Sequence, residues 1–244
     1  MSVKKFKISA LSPRVALDGP ESGFTLVEFL VSILMTSLIV SAIYSIFRVQ
    51  THSVKLQENR LEAQEYTRNV LDIMIREIRN AAYNPLGATL GASCGGGVLP
   101  GAPAIITATG TAITFTYDFR GSAASSDPDG DCNDPNEEIT YQYESPGPQN
   151  CVSGFGDVTR GAKDEGGSFA TQPLTDCNVA TGGFTLTYYV QNSSTAMSPI
   201  VAANVQRVQV TLTVQSKNPD QQFGGQLNAT MTSNADLRNR GLPS

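Results

Sequence analysis

The chain has 244 residues, of which 40% are hydrophobic and 16% charged, with a net charge of −5 and no tryptophan. That composition excludes collagen-like, purely coiled-coil and disordered chains, and the length holds one real hydrophobic core plus an extra segment rather than a large multidomain enzyme. Over residues 84–244 seven Lys/Arg stand against fourteen Asp/Glu, an acidic balance that repels phosphate backbones, so no direct nucleic-acid partner is expected.

In chain order, residues 1–23 form a polar leader carrying Lys4, Lys5, Lys7 and Arg14. Phe29 to Phe47 then runs without a charge. At about 1.5 Å per residue, a helix of that length crosses most of a roughly 30 Å hydrocarbon core. The apolar run is longer than the core of a secretory signal and starts too far from the basic residues to be one. The basic leader predicts a cytoplasmic N-terminus, with everything beyond the span outside the inner membrane.

Glu28 sits at the start of the apolar stretch, where an unpaired carboxylate costs on the order of 2.5–3.5 kcal/mol at the centre of a bilayer and less near its face. No Lys or Arg lies within a helical turn or two of it. Its partner is therefore expected on another chain or at a newly created N-terminal amine.

Gly23-Phe24-Thr25-Leu26-Val27-Glu28, followed by an unbroken apolar helix, resembles the class III signal of type IV prepilins and type II secretion pseudopilins. The resemblance implies cleavage after Gly23 by a prepilin peptidase, N-methylation of Phe24, and pairing of Glu28 with the N-terminal amine of a neighbouring subunit during assembly. It also implies a type IV pilin-like α+β fold. Its parts would be a removable leader (1–23), the membrane half of a long helix (24–47), an amphipathic half (48–83) and an acidic, disulfide-bonded β-rich head (84–244).

Beyond Phe47 the helix becomes amphipathic, with Val54, Leu61, Leu71, Met74, Ile75, Ile78 and Ala82 expected on one apolar face. Pro85 and Gly87 are expected to end it. Arg60 to Gly87 further resembles PilW-type minor pilins and the related J-type pseudopilins. His52 reads as a solvated helix residue, with no nucleophile placed beside it.

The remainder alternates as antiparallel strands do. Strands are expected at 104–107 and 113–119, joined by a turn at Thr109-Gly110, then at 139–143, 184–190, 208–215 and 227–231. The glycines at 87, 91 and 95–97 lack a following Gly-Lys-Ser/Thr, and there is no Gly-x-Ser-x-Gly or His-Glu-x-x-His. No enzyme is expected.

The four cysteines, Cys94, Cys132, Cys151 and Cys177, include no Cys-x-x-Cys and read as two disulfides in an oxidising compartment. Three pairings are open, with Cys94–Cys132 and Cys151–Cys177 preferred because each closes a local excursion. Asp127, Asp129 and Asp131 recur at alternate positions with Glu138 at the twelfth, as hard oxygen ligands do in a calcium loop. Cys132 stands where such a loop needs glycine, so the alternative is a solvated acidic turn, and no cofactor is required beyond a possible Ca²⁺. Asn192 and Asn228 begin short glycosylation-type tripeptides.

The expected role is a minor pilin that helps prime pilus assembly. Its partners would be prepilin peptidase, other minor pilins, the major pilin and, before assembly, inner-membrane lipid. The alternatives are a J-type minor pseudopilin of a type II secretion system and a membrane-anchored adhesin or calcium-binding module on the cell surface.

Overall fold

The structure is a computed structural model that describes residues 23–83, 105–119, 127–128, 132, 134–164, 167–190, 192–216 and 227–237. It is an α+β chain: one long N-terminal helix, α1 (Leu26–Arg79), and an antiparallel sheet. The contacts separate a unit ending at His52 from a second that begins at Ser53 and holds the sheet.

In the first unit the helix side chains are exposed on every side, including Leu30, Leu34, Leu38, Ile43 and Phe47. A segment apolar all round suits an apolar surrounding, and by length and composition it is a candidate single membrane span. Four of its hydroxyls, on Ser32, Thr36, Ser37 and Ser45, bond to carbonyls of the helix itself. Ser32 donates to the Glu28 carbonyl at 2.8 Å, Thr36 to that of Ser32 at 2.7 Å and Ser45 to that of Ser41 at 2.7 Å. Each therefore has its donor already used, as an apolar surrounding requires.

In the second unit α1 buries Ala63, Thr67, Val70, Leu71, Met74, Ile75 and Ile78. Val54 and Leu61, expected on that face, lie outside it at 52% and 63% exposed. From Ala63 onward the buried positions step by three and four, and Leu61 falls on the opposite side of that stripe. The helix also ends at Arg79, earlier than Pro85 predicts. Ala82 takes a positive φ of 64°, and its N–H is captured by the Thr116 carbonyl at 2.9 Å. The sheet, rather than the proline, draws the chain out of the helix; Pro85 and Gly87 lie outside the described residues.

The strands are β1 (Ile105–Ala108), β2 (Ala112–Thr116), β3 (Glu138–Glu144), β4 (Phe155–Lys163), β5 (Phe169–Pro173), β6 (Val179–Tyr189), β7 (Arg207–Gln215) and β8 (Asn228–Asp236). Their order is β1-β2-β3-β4-β6-β7-β8, with β5 paired to β4 beside that path. β7 shows the cleanest alternation, with Val208, Val210, Leu212 and Val214 buried between half-buried polar residues. These side chains join Phe115, Ile139, Tyr141, Val158 and Phe184 in one core with Met74 and Ile78 of the helix.

β4 and β5 were not legible as strands. β4 reads FGDVTRGAK, too rich in glycine and charge to suggest a strand, yet residues 156–159 and 161–162 are buried. A Cβ on Gly156 would stand 2.1 Å from the Glu144 carbonyl oxygen, so neighbouring backbone fills the space a side chain would need. Phe119 and Tyr117, expected in β2, lie beyond its end at Thr116.

Candidate functional site

The helix N-terminus is where sequence and geometry converge. Gly23, Phe24 and Thr25 are exposed and carry no regular secondary structure just before α1. A Cβ added at Gly23 meets nothing within 4 Å, so the fold places no packing demand for glycine there.

Thr25 is the residue before the first helical position, and Glu28 lies three further on. The Glu28 N–H donates to the Thr25 hydroxyl oxygen at 3.3 Å, while the Thr25 N–H donates to Glu28 Oε2 at 3.2 Å. The Thr25 hydroxyl also lies 3.1 Å from Oε2. This is a reciprocal capping box that satisfies two of the helix's orphan N–H groups and sets a carboxylate against the positive end of the helix dipole. The sequence reading sought the partner of Glu28 on another chain or at a free amine; the structure adds a third partner, its own helix terminus. The signal, Thr-x-x-Glu at the head of an apolar run, was present in the sequence.

The acidic turn is organised differently. Asp127 is exposed, and Asp129 and Asp131 lie outside the described residues. Glu138 Oε2 accepts from Lys163 Nζ at 3.1 Å. The neighbouring Glu137, fully buried, accepts from the backbone N–H of Phe119 at 2.9 Å and of Asp134 at 3.2 Å. Of the four sequence-proposed ligands, Glu138 is thus held by a cation across β3 and β4, and the acid beside it serves the backbone.

Cys151 and Cys177 are joined by a disulfide. Cys132 is also disulfide-bonded, while Cys94 lies outside the described residues. Beside the Cys151–Cys177 bridge the buried Asp157 accepts from the Cys177 N–H at 2.7 Å. The two sulfurs and a carboxylate oxygen cluster closely enough to resemble a metal site. Bonded to each other, however, the sulfurs offer no thiolate, which is the form that ligates.

A second polar cluster pins the helix to the sheet, and nothing in the sequence announced it. Arg160 Nε on β4 meets Glu77 Oε2 at 2.9 Å, and the Tyr141 hydroxyl on β3 donates to the same oxygen at 2.5 Å. Burial, then the Glu77 charge, pushes Tyr141 well above the usual phenol range. Nearby Tyr117 is pushed up to about 12 by the same two causes in the same order. Burial lowers Arg160, but its hydrogen bond and charge pairing with Glu77 outweigh that and leave it raised. The group fastens α1 to the sheet: each of the two interior-facing charges has a partner within hydrogen-bond reach. His52 is half-buried on α1.

Comparison with protein-family models, with curated proteins and with solved structures found no match.

Proposed function

We propose that the chain is a minor pilin of a type IV pilus, processed after Gly23, N-methylated at Phe24, and incorporated into the filament, where it helps prime assembly. The observation that carries this reading is the helix head. An exposed glycine that packing does not require stands five residues before Glu28, whose carboxylate caps a helix that opens with a charge-free apolar run from Phe29 to Phe47. Peptide cleavage needs an accessible, flexible backbone, which Gly23 supplies. Once Phe24 carries the terminal amine, a cation becomes available close to Thr25, and Glu28 can exchange its cap for an amine on a neighbouring subunit.

The head binds rather than catalyses in this reading, and requires no metal. Its partners are prepilin peptidase, lipid before assembly, and the other pilins afterwards. The acid does two successive tasks with one oxygen pair: it closes the helix terminus in the membrane and then marks the docking point for the next subunit.

The test is an in-frame deletion in the native host complemented with wild type, Gly23→Asp or Glu28→Ala, scoring sheared surface pili, secreted proteins and the size of the chain in membranes. The expected result is loss of pili with normal secretion in the deletion. Gly23→Asp should accumulate the uncut chain, and Glu28→Ala should insert and be cut but stay out of the filament. Loss of secretion with intact pili would assign the chain to a type II system as a J-type pseudopilin. No change in either, with surface binding kept by Glu28→Ala, would leave an anchored adhesin or calcium-binding module.

A further inference from the structure

Among the described residues the sheet has one long edge, β8, that no further strand covers. β8 pairs only with β7 among the described residues, and the nine residue pairs between them run without a register shift. Natural edges are blunted by shortness, bulges, proline or lysine. β1 has four residues and a register shift, and β5 has five and ends in Pro173. β8, Asn-Ala-Thr-Met-Thr-Ser-Asn-Ala-Asp, has none of these devices.

Its backbone is aimed outward. The Thr211–Thr232 and Thr213–Thr230 hydroxyl pairs, each 2.9 Å apart, mark the close positions of an antiparallel ladder, where main-chain groups point away from the partner strand. By the same parity the N–H and C=O groups of Thr230, Thr232 and Asn234 face away from β7. One is already used from that side: Arg79 donates to the Asn234 carbonyl at 3.3 Å.

Alongside this edge runs a groove of about 560 Å³ lined by Asp72, Ile75, Arg76, Arg79 and Tyr83 of the α1 end and by Ser233 of β8. Two guanidiniums face one carboxylate there, on a head that is otherwise acidic. Asp236, at the end of β8, lies opposite Arg207 in the ladder, while the Arg207 guanidinium stacks over Tyr189 and donates to the Ser193 carbonyl at 2.8 Å. Tyr83 is 43% exposed and offers an aromatic flank.

We propose that this groove and the β8 edge receive an extended, acid-bearing segment of a different protein, which adds to the sheet as a further strand with its carboxylates on Arg76 and Arg79. An open edge supplies main-chain hydrogen bonds, and the adjoining groove reads the side chains of the added strand. Planar guanidiniums grip carboxylates bidentately. A helix or a lipid surface would leave the outward N–H groups of Thr230 and Thr232 unanswered, and a basic segment would meet Arg76 and Arg79 as like charges.

The test is photocrosslinking of the full-length chain in native-host membranes, with p-benzoylphenylalanine at Asn80, which lines the groove, and at Val152, 70% exposed elsewhere on the head, as control. The expected result is an Asn80-dependent adduct whose sequenced peptide comes from another protein and carries Asp or Glu. Arg76→Glu should lower its yield about tenfold with the melting temperature unchanged, and lysine at the captured acids should restore it. Capture only of lipid, of a second copy, of this chain's own residues or of an acid-free segment would overturn the proposal. So would a yield no higher than at Val152, or one indifferent to Arg76→Glu.

Discussion

At the scale of single residues, Glu28 combines two properties that substitution can separate, a hydrogen-bonding shape and a charge. Glu28→Gln keeps an oxygen for the Thr25 N–H and hydroxyl but removes the anion, whereas Glu28→Ala removes both. If the charge drives docking, Glu28→Gln should insert and be processed normally yet lower incorporation into filaments about as much as Glu28→Ala; normal incorporation of the Gln variant would reduce the residue to a helix cap worth about 1 kcal/mol. Tyr66 and Tyr117 are both raised to about 12, Tyr66 by burial and then by Asp176 and Asp157. A phenol harder to ionise in the folded state adds stability in full below its unfolded value near 10. That stability is lost as pH rises through about 12. Alkaline titration at 295 nm should therefore show a late phenolate phase that coincides with loss of the folded circular dichroism signal.

At the scale of elements, the strands the sequence discloses are those with one wet and one dry face. β7 alternates because its polar residues stay at the surface, and β8 was partly visible for the same reason. β4 was hidden because its interior contents are Gly156, Asp157, Thr159 and Gly161: glycine there answers a close carbonyl, and Asp157 receives a backbone N–H beside a disulfide. Those are long-range causes that periodicity cannot carry. At the helix head Gly23, Phe24 and Glu28 stood out in the sequence but the Thr25–Glu28 cap went unread, although its signal is local, while the Glu77–Arg160–Tyr141 cluster left no signal, since its members are drawn from three separate elements. Gly156→Ala should lower stability by about 3 kcal/mol through the clash with the Glu144 carbonyl, measured as a shift in chemical denaturation midpoint with unchanged slope. Calcium should leave the melting temperature unchanged, because Glu138 is already engaged by Lys163; a rise would return the acidic turn to candidacy as a metal loop.

At the scale of the whole molecule, the chain divides its chemistry sharply: a charge-free apolar run whose Ser32, Thr36, Ser37 and Ser45 hydroxyls bond to the helix's own carbonyls, and an acidic second unit with disulfide-bonded cysteines. Replacing Cys151 and Cys177 together by serine removes a closure spanning 26 residues and should cost about 3 kcal/mol. The expected reading is a melting temperature of the double-serine variant below that of the oxidised wild type. α1 itself runs without interruption from Leu26 to Arg79, and its last turns are packed against the sheet by Met74, Ile75 and Ile78 and tied by Glu77. Within the second unit, a pull along the helix axis would therefore load the helix–sheet contact as shear. In shear the buried contacts from Ala63 to Ile78 bear the load together instead of breaking one after another, so the second unit resists a pull along its helix as a whole.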